Sequence, residues 1–379
     1  NKGKKCAFGV MAAWCLAVGA AALTGCGTKE VHNKITVESS VEETAAEAIE
    51  IETEAPQTEA PETEAPDPDE QEPRVEKDGR IRSYLTGEMV PVSQGNRRPL
   101  AIMMSNDKAA LPQYGINRAG VVYEVPVEAT MNRYLAIMED YDDLSRIGSV
   151  RSCRTYYVYF AREFDAIYAH YGQSTFAKPY LKFIDNINGI EGQGSTAYFR
   201  SRDKKTPHNA YASFEGIQRA IQKLGYSQEY NADYDGQEGT QAVMHGADVR
   251  EAYKVTPGYK LNNPWFEYHE DDGLYYRFQY GGPHMGNEGQ IAVKNLIIQY
   301  CPAAYYASTE YRNINVQADT WGYYISNGQA EDITCEKDGE FGVTHYYDAS
   351  GNEIVLNPGK TWICICTTND MQPAKIEGK

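Results

Sequence analysis

Basic residues are scarce in this chain. Its 379 residues include 36 Lys and Arg against 53 Asp and Glu, which gives a formal net charge of −17. No stretch clusters Lys and Arg into the positive surface that nucleic acids require. The sequence therefore predicts no nucleic-acid partner. An acidic body also disfavours direct adhesion to anionic lipid headgroups.

Metal-binding and disulfide-framework spacings are also missing. No H-E-x-x-H or C-x2-C motif occurs, so we expect no metal and no cofactor. Beyond residue 26 an odd number of cysteines remains, which favours free buried thiols and leaves a single disulfide open. Cys364 and Cys366 alternate with isoleucines and should share one face of a strand. The five cysteines are Cys153, Cys301, Cys335, Cys364 and Cys366.

What the sequence does contain near its start is the pattern of a lipoprotein export signal. Three lysines precede an alanine-rich apolar run that ends in LTGC at residues 23–26. The Cys26 thiol would carry a diacylglyceryl group through a thioether bond, with palmitate-type acyl chains, and two acyl chains give a stable membrane anchor. We predict a signal peptide over residues 1–25 and a location on the outer face of the cell membrane. An uncleaved spanning helix is the disfavoured alternative, because glycines and alanines make a poor span.

Residues 26–83 contain few bulky apolar side chains. Between residues 27 and 73, fifteen acidic residues stand against two lysines, and the stretch ETEAPQTEAPETEAP repeats Thr-Glu-Ala-Pro. Like-charge repulsion and proline oppose a packed core. We predict a disordered acidic tether over residues 26–83 that lifts the folded part off the membrane.

The folded part is predicted to be α+β, in two segments. Residues 84–250 alternate strand and helix patterns, which predicts a mixed α/β domain. Residues 251–379 carry short strands with turn pairs such as Asp272-Gly273, which predicts a smaller, mainly-β domain, a sandwich or a barrel. Ser213 as N-cap and Gly225 as a stop predict a helix between them. Further predicted helices cover 151–164 and 175–185, and the main predicted strands are 100–104, 121–127, 133–139, 166–170, 294–301 and 361–367.

Two arginines form the sharpest candidate site. Arg151 and Arg154 lie three residues apart at the predicted start of a helix, where both guanidiniums would point the same way. The free N–H groups and positive dipole of a helix start would add to them and suit a phosphate or a carboxylate. Internal pairing with Glu124 or Glu128 is the competing interpretation.

Carboxylates on a neighbouring strand form a second cluster. Glu124 and Glu128 share one face of the predicted strand, and Arg133 returns opposite them after a turn. Paired carboxylates can perform acid–base chemistry. A carboxylate–guanidinium network that braces the hairpin is the simpler account.

The remaining candidates follow strand ends or lie in loops. Asn106 and Asp107 end an apolar strand, and ligands often bind at such ends, although Asn and Asp also make simple turns. His170 ends another strand beside a glycine, and His208 and Asn209 belong to the stretch TPHN. A histidine in such a place can be an acid, a base or a ligand. A structural histidine is the more common outcome.

Five segments carry a resemblance to a known family: RPLAIMMSND, VVYEVPVEATMNRYLAIME, IGSVRSCRTYYVYFAREFDAIYAHYGQS, KKTPHNAY and GNEIVLNPGKTWICI. On these segments the chain resembles the YerB-type lipoproteins of Gram-positive bacteria, a family built on a domain of unknown function. The resemblance covers residues 97–367. The residues that occupy the polar motif positions of the family are Glu124, Glu128, Arg133, Arg151, Arg154, His170, His208 and Asn209. It implies a membrane-anchored envelope protein with an N-terminal and a smaller C-terminal family domain, and it implies no established reaction. The chain departs from the family at Ala129-Thr130, where Gly-Gly is usual, and at Leu111, where Arg is usual.

Three functions are compatible with these residues. The leading hypothesis is a lipoprotein that binds an anionic envelope ligand, peptidoglycan or a partner protein through Arg151 and Arg154. The alternative is a cell-wall or phosphodiester hydrolase or transferase, in which Glu124 or Glu128 is the base and His170 or His208 the acid. A solute-binding protein is disfavoured, because the second half lacks the α/β pattern of a second lobe. The sequence assigns no catalytic residue and leaves open whether the protein is an enzyme.

The lipid anchor is directly testable. Mass spectrometry of the protein recovered from native cells should find Cys26 acylated at a new N-terminus, because the lipid is attached to the thiol before the signal is removed. A bare thiol at position 26 would contradict the predicted anchor and location.

Overall fold

A large mixed sheet forms the centre of the computed structural model, which describes residues 74–230, 242, 244, 248–368 and 371–379. The predicted signal peptide, the Cys26 site and most of the predicted tether lie outside these residues. Eleven strands build the sheet. In spatial order ten of them are Arg250–Glu251, Gln329–Lys337, Thr320–Ser326, Asn295–Cys301, Thr361–Thr367, Val121–Pro126, Asn132–Met138, Leu100–Ser105, Ile167–His170 and Asn186–Asn188, with Thr344–Tyr347 beside Gln329–Lys337.

The Thr361–Thr367 strand joins the two halves of this sheet. It pairs in parallel with Val121–Pro126 on one side and with Asn295–Cys301 on the other. Both of its faces are buried, which explains its uninterrupted apolar sequence. Trp362 and Cys364 point into one core, and Ile363 points into the other. Residues from the two predicted domains therefore share one sheet.

Two helices and a second sheet cover the two faces of this sheet. The helix Thr155–Glu163 packs on one face, and the helix Phe214–Leu224 packs on the other. A second sheet of six strands also covers the latter face through Phe266 and Tyr275. Its strands are Gly282–Pro283, Leu274–Gln279, Trp265–His269, Lys254–Thr256, Lys375–Glu377 and Ala292–Val293.

Smaller elements complete the described structure. A three-stranded sheet holds the segment before the helix Thr155–Glu163, and three two-stranded ribbons lie elsewhere. The three-stranded sheet consists of Ile147–Gly148, Ala210–Ala212 and Tyr198–Arg200. The ribbons are Arg80–Arg82 with Met89–Pro91, Met285–Gly286 with Gly289–Gln290, and Ala303–Tyr305 with Arg312–Ile314. The short helices are Val92–Gly95, Lys108–Ala110, Ile116–Arg118 and Lys178–Phe183. Within the described ranges, no helix has the length and apolar character needed to cross a membrane.

Several predicted elements are confirmed. The helix Phe214–Leu224 begins at Ser213, whose hydroxyl accepts from the Gly216 N–H, and ends at the left-handed Gly225. The Asp272-Gly273 pair joins the two strands of a hairpin. All five cysteines of the described chain are buried free thiols, and Cys364 and Cys366 share one face. The coarse class, a mainly-β α+β fold, is also confirmed.

Three predicted features are wrong. The second half is not a separate sandwich or barrel, since most of its long strands extend the main sheet. Residues 74–83 do not continue the tether: Arg80–Arg82 is a strand, and the Arg74 guanidinium donates to the Arg82 carbonyl. The helix predicted over 175–185 is only the 3-10 helix Lys178–Phe183. There the Asn186 side chain binds the carbonyls of the last turn. The domain boundary near residue 250 stays a prediction.

The shared sheet predicts that the C-terminal strand is indispensable. A chain that stops after Lys360 lacks the strand between Val121–Pro126 and Asn295–Cys301 and loses the buried Trp362. It should show no cooperative thermal transition by near-ultraviolet circular dichroism, because apolar faces and ladder hydrogen bonds on both neighbours are exposed. A chain that stops after Glu377 keeps every strand and should unfold cooperatively. Native-like unfolding of the shorter chain would contradict the assigned sheet.

Candidate functional site

A polar cleft lies at the carboxyl end of the Leu100–Ser105 strand. The cavity volume is about 30 Å³, and the cleft opens to solvent on one side. The strand end, the turn before Asn132–Met138 and the loops near residues 151, 208, 261 and 280 supply its walls. Of the predicted site residues, four line it: Asp107, Arg133, Arg151 and His208. The other lining residues are Ser105, Asn106, Met131, Asn132, Leu261, Asn262 and Tyr280.

Arg151 and Arg154 do not share a helical face, which corrects the sequence prediction. The helix begins at Thr155, and Arg154 is its N-cap in an extended conformation. The preceding residues bind strands instead of a helix: the Arg151 N–H donates to the Met103 carbonyl and the Cys153 N–H to that of Gly172. The extended backbone sends the two guanidiniums to different partners.

The Arg154 guanidinium is bound internally. It donates from Nε to Oε1 of Glu128, and Arg133 approaches Oε2 of the same carboxylate at 3.3 Å. Arg133 also donates to the Ser152 carbonyl at 2.9 Å. Burial, and then the charge of Arg154, lower the pKa of Arg133 to about 10. Glu128, Arg133 and Arg154 therefore form the carboxylate–guanidinium network that the sequence offered as the simpler account.

Arg151 is differently placed. Its Nη1 donates to the Pro207 carbonyl at 3.0 Å, and no carboxylate of the described residues lies within ion-pair distance of it. Burial, and then repulsion from Arg154, lower the pKa of Arg151, against the attraction of Asp107 and Glu128. The guanidinium is thus a partly buried cation that faces the cleft without an ion-pair partner in the described chain.

Asp107 and His208 lie near each other in the same cleft. Their closest approach is 3.8 Å, from Nε2 of His208 to Oδ1 of Asp107. That distance is too long for a hydrogen bond. The same Asp107 oxygen accepts from the Ala109 N–H at 2.8 Å. Burial lowers the pKa of His208, since Arg151 and Lys204 offset the attraction of Asp107. At neutral pH the imidazole is therefore uncharged.

Asn106, which precedes Asp107 at the strand end, also lines the cleft. Its side chain is 4% exposed, and Oδ1 is buried with no hydrogen-bond partner among the described residues. Tyr280 donates to the Asn106 backbone carbonyl at 2.9 Å, which fixes this residue against the second sheet. A buried acceptor without a donor is rare in folded proteins.

Two predicted site residues are elsewhere. His170 is fully buried, and its ring nitrogens contact the Gly172 carbonyl at 2.8 Å and Oδ1 of Asn186 at 3.3 Å. Burial lowers the pKa of His170. Asn209 accepts from Arg200 at 2.7 Å and donates to the Ser201 carbonyl, so it braces its own loop. Neither side chain lines the cleft.

Beneath the cleft, Glu124 forms a fully buried ion pair. Its Oε2 accepts from Arg277 at 2.7 Å and from the Trp362 indole at 3.1 Å. Its Oε1 accepts from Asn132 and Asn262, two residues that also line the cleft. Burial is the largest influence and lowers the pKa of Arg277, but the charge of Glu124, together with Tyr134 and the hydrogen bond to Glu124, leaves that pKa raised. Glu124 therefore lies beneath the cleft and does not line it.

A chain of hydrogen bonds connects this pair to the strand end. Arg277 donates to Nδ1 of His284 at 2.5 Å, because a guanidinium can only donate. The proton of the neutral His284 is then on Nε2, which lies 2.8 Å from Oε1 of Gln113. Gln113 in turn donates to the Ser105 carbonyl. Burial and the charge of Arg277 hold the pKa of His284 well below its ordinary value.

The sequence contains one indication that Arg277 is buried. The Leu274–Gln279 strand alternates buried and half-buried residues, and Arg277 occupies an inward position between Tyr275 and Gln279. A charge at an inward position of an amphipathic strand requires a buried partner. Sequence alone could not name that partner, which lies 153 residues away.

The fold and the cleft define a mainly-β α+β protein with a polar cleft built from both sequence halves. A family model described as "Protein of unknown function (DUF3048) N-terminal domain" matches residues 85–227, and its C-terminal counterpart matches 255–363. The chain belongs to this family.

A relative in Bacillus subtilis supports the assignment. The protein named "Putative lipoprotein YerB" is 28% identical over 308 residues, which span 78% of this chain and 89% of the relative. The crystal structure of the YerB protein from the same organism matches with a TM-score of 0.68 at 28% identity, over 78% of this chain and 99% of that one. The resemblance stated from the sequence motifs is confirmed.

The buried ion pair predicts a strong coupling. Glu124→Gln or Arg277→Met alone should lower the free energy of unfolding in urea by about 3–5 kcal/mol, because each leaves an uncompensated buried partner. The double variant should lose much less than the sum. The exposed pair Glu215 and Arg219 is the control, and its removal should cost about 0–1 kcal/mol. Additive losses at Glu124 and Arg277 would contradict the pairing.

Proposed function

We propose that this protein is a membrane-anchored lipoprotein that binds an anionic ligand of the cell envelope in the cleft, with Arg151 as the principal anion-binding group. The observation that carries the proposal is the Arg151 guanidinium, which lines the cleft with no ion-pair partner in the described chain. The lipoprotein part rests on the LTGC motif and on the printed name of the YerB relative. It includes acylation of Cys26 and a location on the outer face of the membrane.

The charges around the cleft support an anion. Arg154 and Arg151 are close enough to lower the pKa of Arg133, and Arg154 also lowers the pKa of Arg151, while Glu128 and Asp107 are the nearby carboxylates. This cluster carries one excess positive charge within a chain of net charge −17. Arg154 contributes through its charge, since its donors are occupied by Glu128 and a backbone carbonyl.

The alternative of a hydrolase gains no support from the contacts. Glu124 and Glu128, the two proposed bases, both accept hydrogen bonds from arginine. Of the two proposed acids, His170 lies away from the cleft and His208 faces Asp107 at 3.8 Å. The binding function therefore remains the proposal.

Removal of the Arg151 guanidinium tests it. Arg151→Ala should weaken binding of inorganic phosphate or of soluble muropeptides from a cell-wall digest by about 1.5–3 kcal/mol, the usual size for a charged hydrogen bond. Isothermal titration calorimetry on the full chain in detergent provides the measurement. Asp107→Asn should tighten binding, because it removes a negative charge from the cleft wall.

Arg219→Ala is the matched control, since it removes an exposed arginine on the helix Phe214–Leu224 and should leave affinity unchanged. Equal affinities of the wild type and Arg151→Ala for phosphate and muropeptides would show that Arg151 does not bind the ligand. Turnover of the muropeptides by the wild type would replace the binding function with an enzymatic one.

A further inference from the structure

The cleft contains a hydrogen-bond acceptor as well as the Arg151 cation. Beside Arg151, the buried Oδ1 of Asn106 is a hydrogen-bond acceptor without a donor in the described part of the chain. Its position is fixed, because Tyr280 holds the Asn106 carbonyl and the Asp107 N–H binds the Ser105 hydroxyl. An acceptor in this state is satisfied when a ligand supplies an N–H or an O–H. The ligand that fits should therefore carry a donor as well as an acid group.

The same cleft has an apolar side. Leu261 is 47% exposed and Met131 is half-buried, and both line the cleft next to the polar wall. Exposed leucine beside a polar wall gives a ligand an apolar contact surface that water cannot use. A free phosphate or a sugar phosphate would leave this surface uncovered.

These three features match the end of a peptide. The last residue of a polypeptide carries a carboxylate, an amide N–H on the same Cα, and a side chain. We propose that the cleft binds the carboxyl-terminal residue of a peptide: Arg151 binds its carboxylate, Asn106 accepts from its amide N–H, and Leu261 with Met131 contacts its side chain. This inference rests on the proposed anion-binding function and adds the class of ligand.

Neutral His208 fits the same ligand. Its Nδ1 is buried without a partner among the described residues, and Nε2 faces the Asp107 carboxylate. If the ring proton lies on Nε2, toward that carboxylate, Nδ1 is a second acceptor in the cleft wall. A peptide end with a hydroxyl or a second N–H would satisfy it.

The decisive experiment compares two acids that differ by one hydrogen-bond donor. N-acetylalanine and N-acetyl-N-methylalanine carry the same charge, and only the first has an amide N–H. Each enantiomer is titrated separately into the full chain in detergent and phosphate-free buffer, with binding followed by ligand-observed NMR. The wild type should bind N-acetylalanine about tenfold more tightly than the methylated acid, because only the N–H satisfies Asn106.

Two variants show which residue binds which part of the ligand. Asn106→Ala should bind both acids with equal affinity, and its retained binding shows that it is folded. Arg151→Ala should weaken both acids, whereas Arg219→Ala should behave as the wild type. N-acetylalanine amide, which lacks the carboxylate, should bind at least tenfold more weakly than the acid.

The outcomes separate the two proposals. Equal affinity of the wild type for both acids would overturn the peptide-end inference and leave anion binding intact. Binding of inorganic phosphate without either acid would do the same, in favour of a phosphate ligand. Failure of phosphate, muropeptides and both acids to bind would overturn the proposed function, and the inference with it.

Discussion

The ion pair between Glu124 and Arg277 is the constraint on which the rest of the structure depends. Both side chains are fully buried, and isolated charges in such a place are too costly to persist. Glu124 belongs to the main sheet and Arg277 to the second sheet, so neither sheet can bury its charge without the other. The Trp362 indole donates to the carboxylate and its ring lies 4.6 Å from the Arg277 guanidinium, which adds the C-terminal strand to the same contact. The pair therefore sets how the two sheets pack.

The geometry of the cleft depends on the Glu124–Arg277 ion pair. Asn132 and Asn262 bind Oε1 of Glu124 from above and form part of the cleft floor, so their side chains are oriented before any ligand arrives. The hydrogen-bond chain through His284 and Gln113 ends at Ser105, directly before Asn106. Satisfied polar networks of this kind hold neighbouring groups in one arrangement. These networks hold the residues around the cleft in place, so that the nearby Arg151 and Asn106 face the cleft with hydrogen-bonding groups that remain unused within the described chain.

Local patterns predicted the elements whose causes are local. The helix Phe214–Leu224 has its cap and its stop in adjacent residues, and the Asp272-Gly273 hairpin has its turn in two. The predicted helix at Arg151 was wrong at its start, because strand contacts with Met103 and Gly172 outweigh the helical pattern there. For the site, residue chemistry selected Asp107, Arg133, Arg151 and His208, which the fold does bring together. It also selected His170 and Asn209, whose burial and partners depend on loops distant in sequence.

The sequence by itself indicated the α+β class and the family membership carried by its motifs, and it favoured free thiols at the five cysteines. These properties follow from composition, short-range spacing and alternation, which act within a few residues. Tertiary structure alone decided that Thr361–Thr367 completes a sheet begun at residue 100, that Glu124 is paired with Arg277, and that Arg154 is bound by Glu128 while Arg151 is not. The physical reason is that a buried charge or an unpaired strand edge is satisfied by whichever partner the chain brings into contact, and no local pattern encodes a partner more than a hundred residues away.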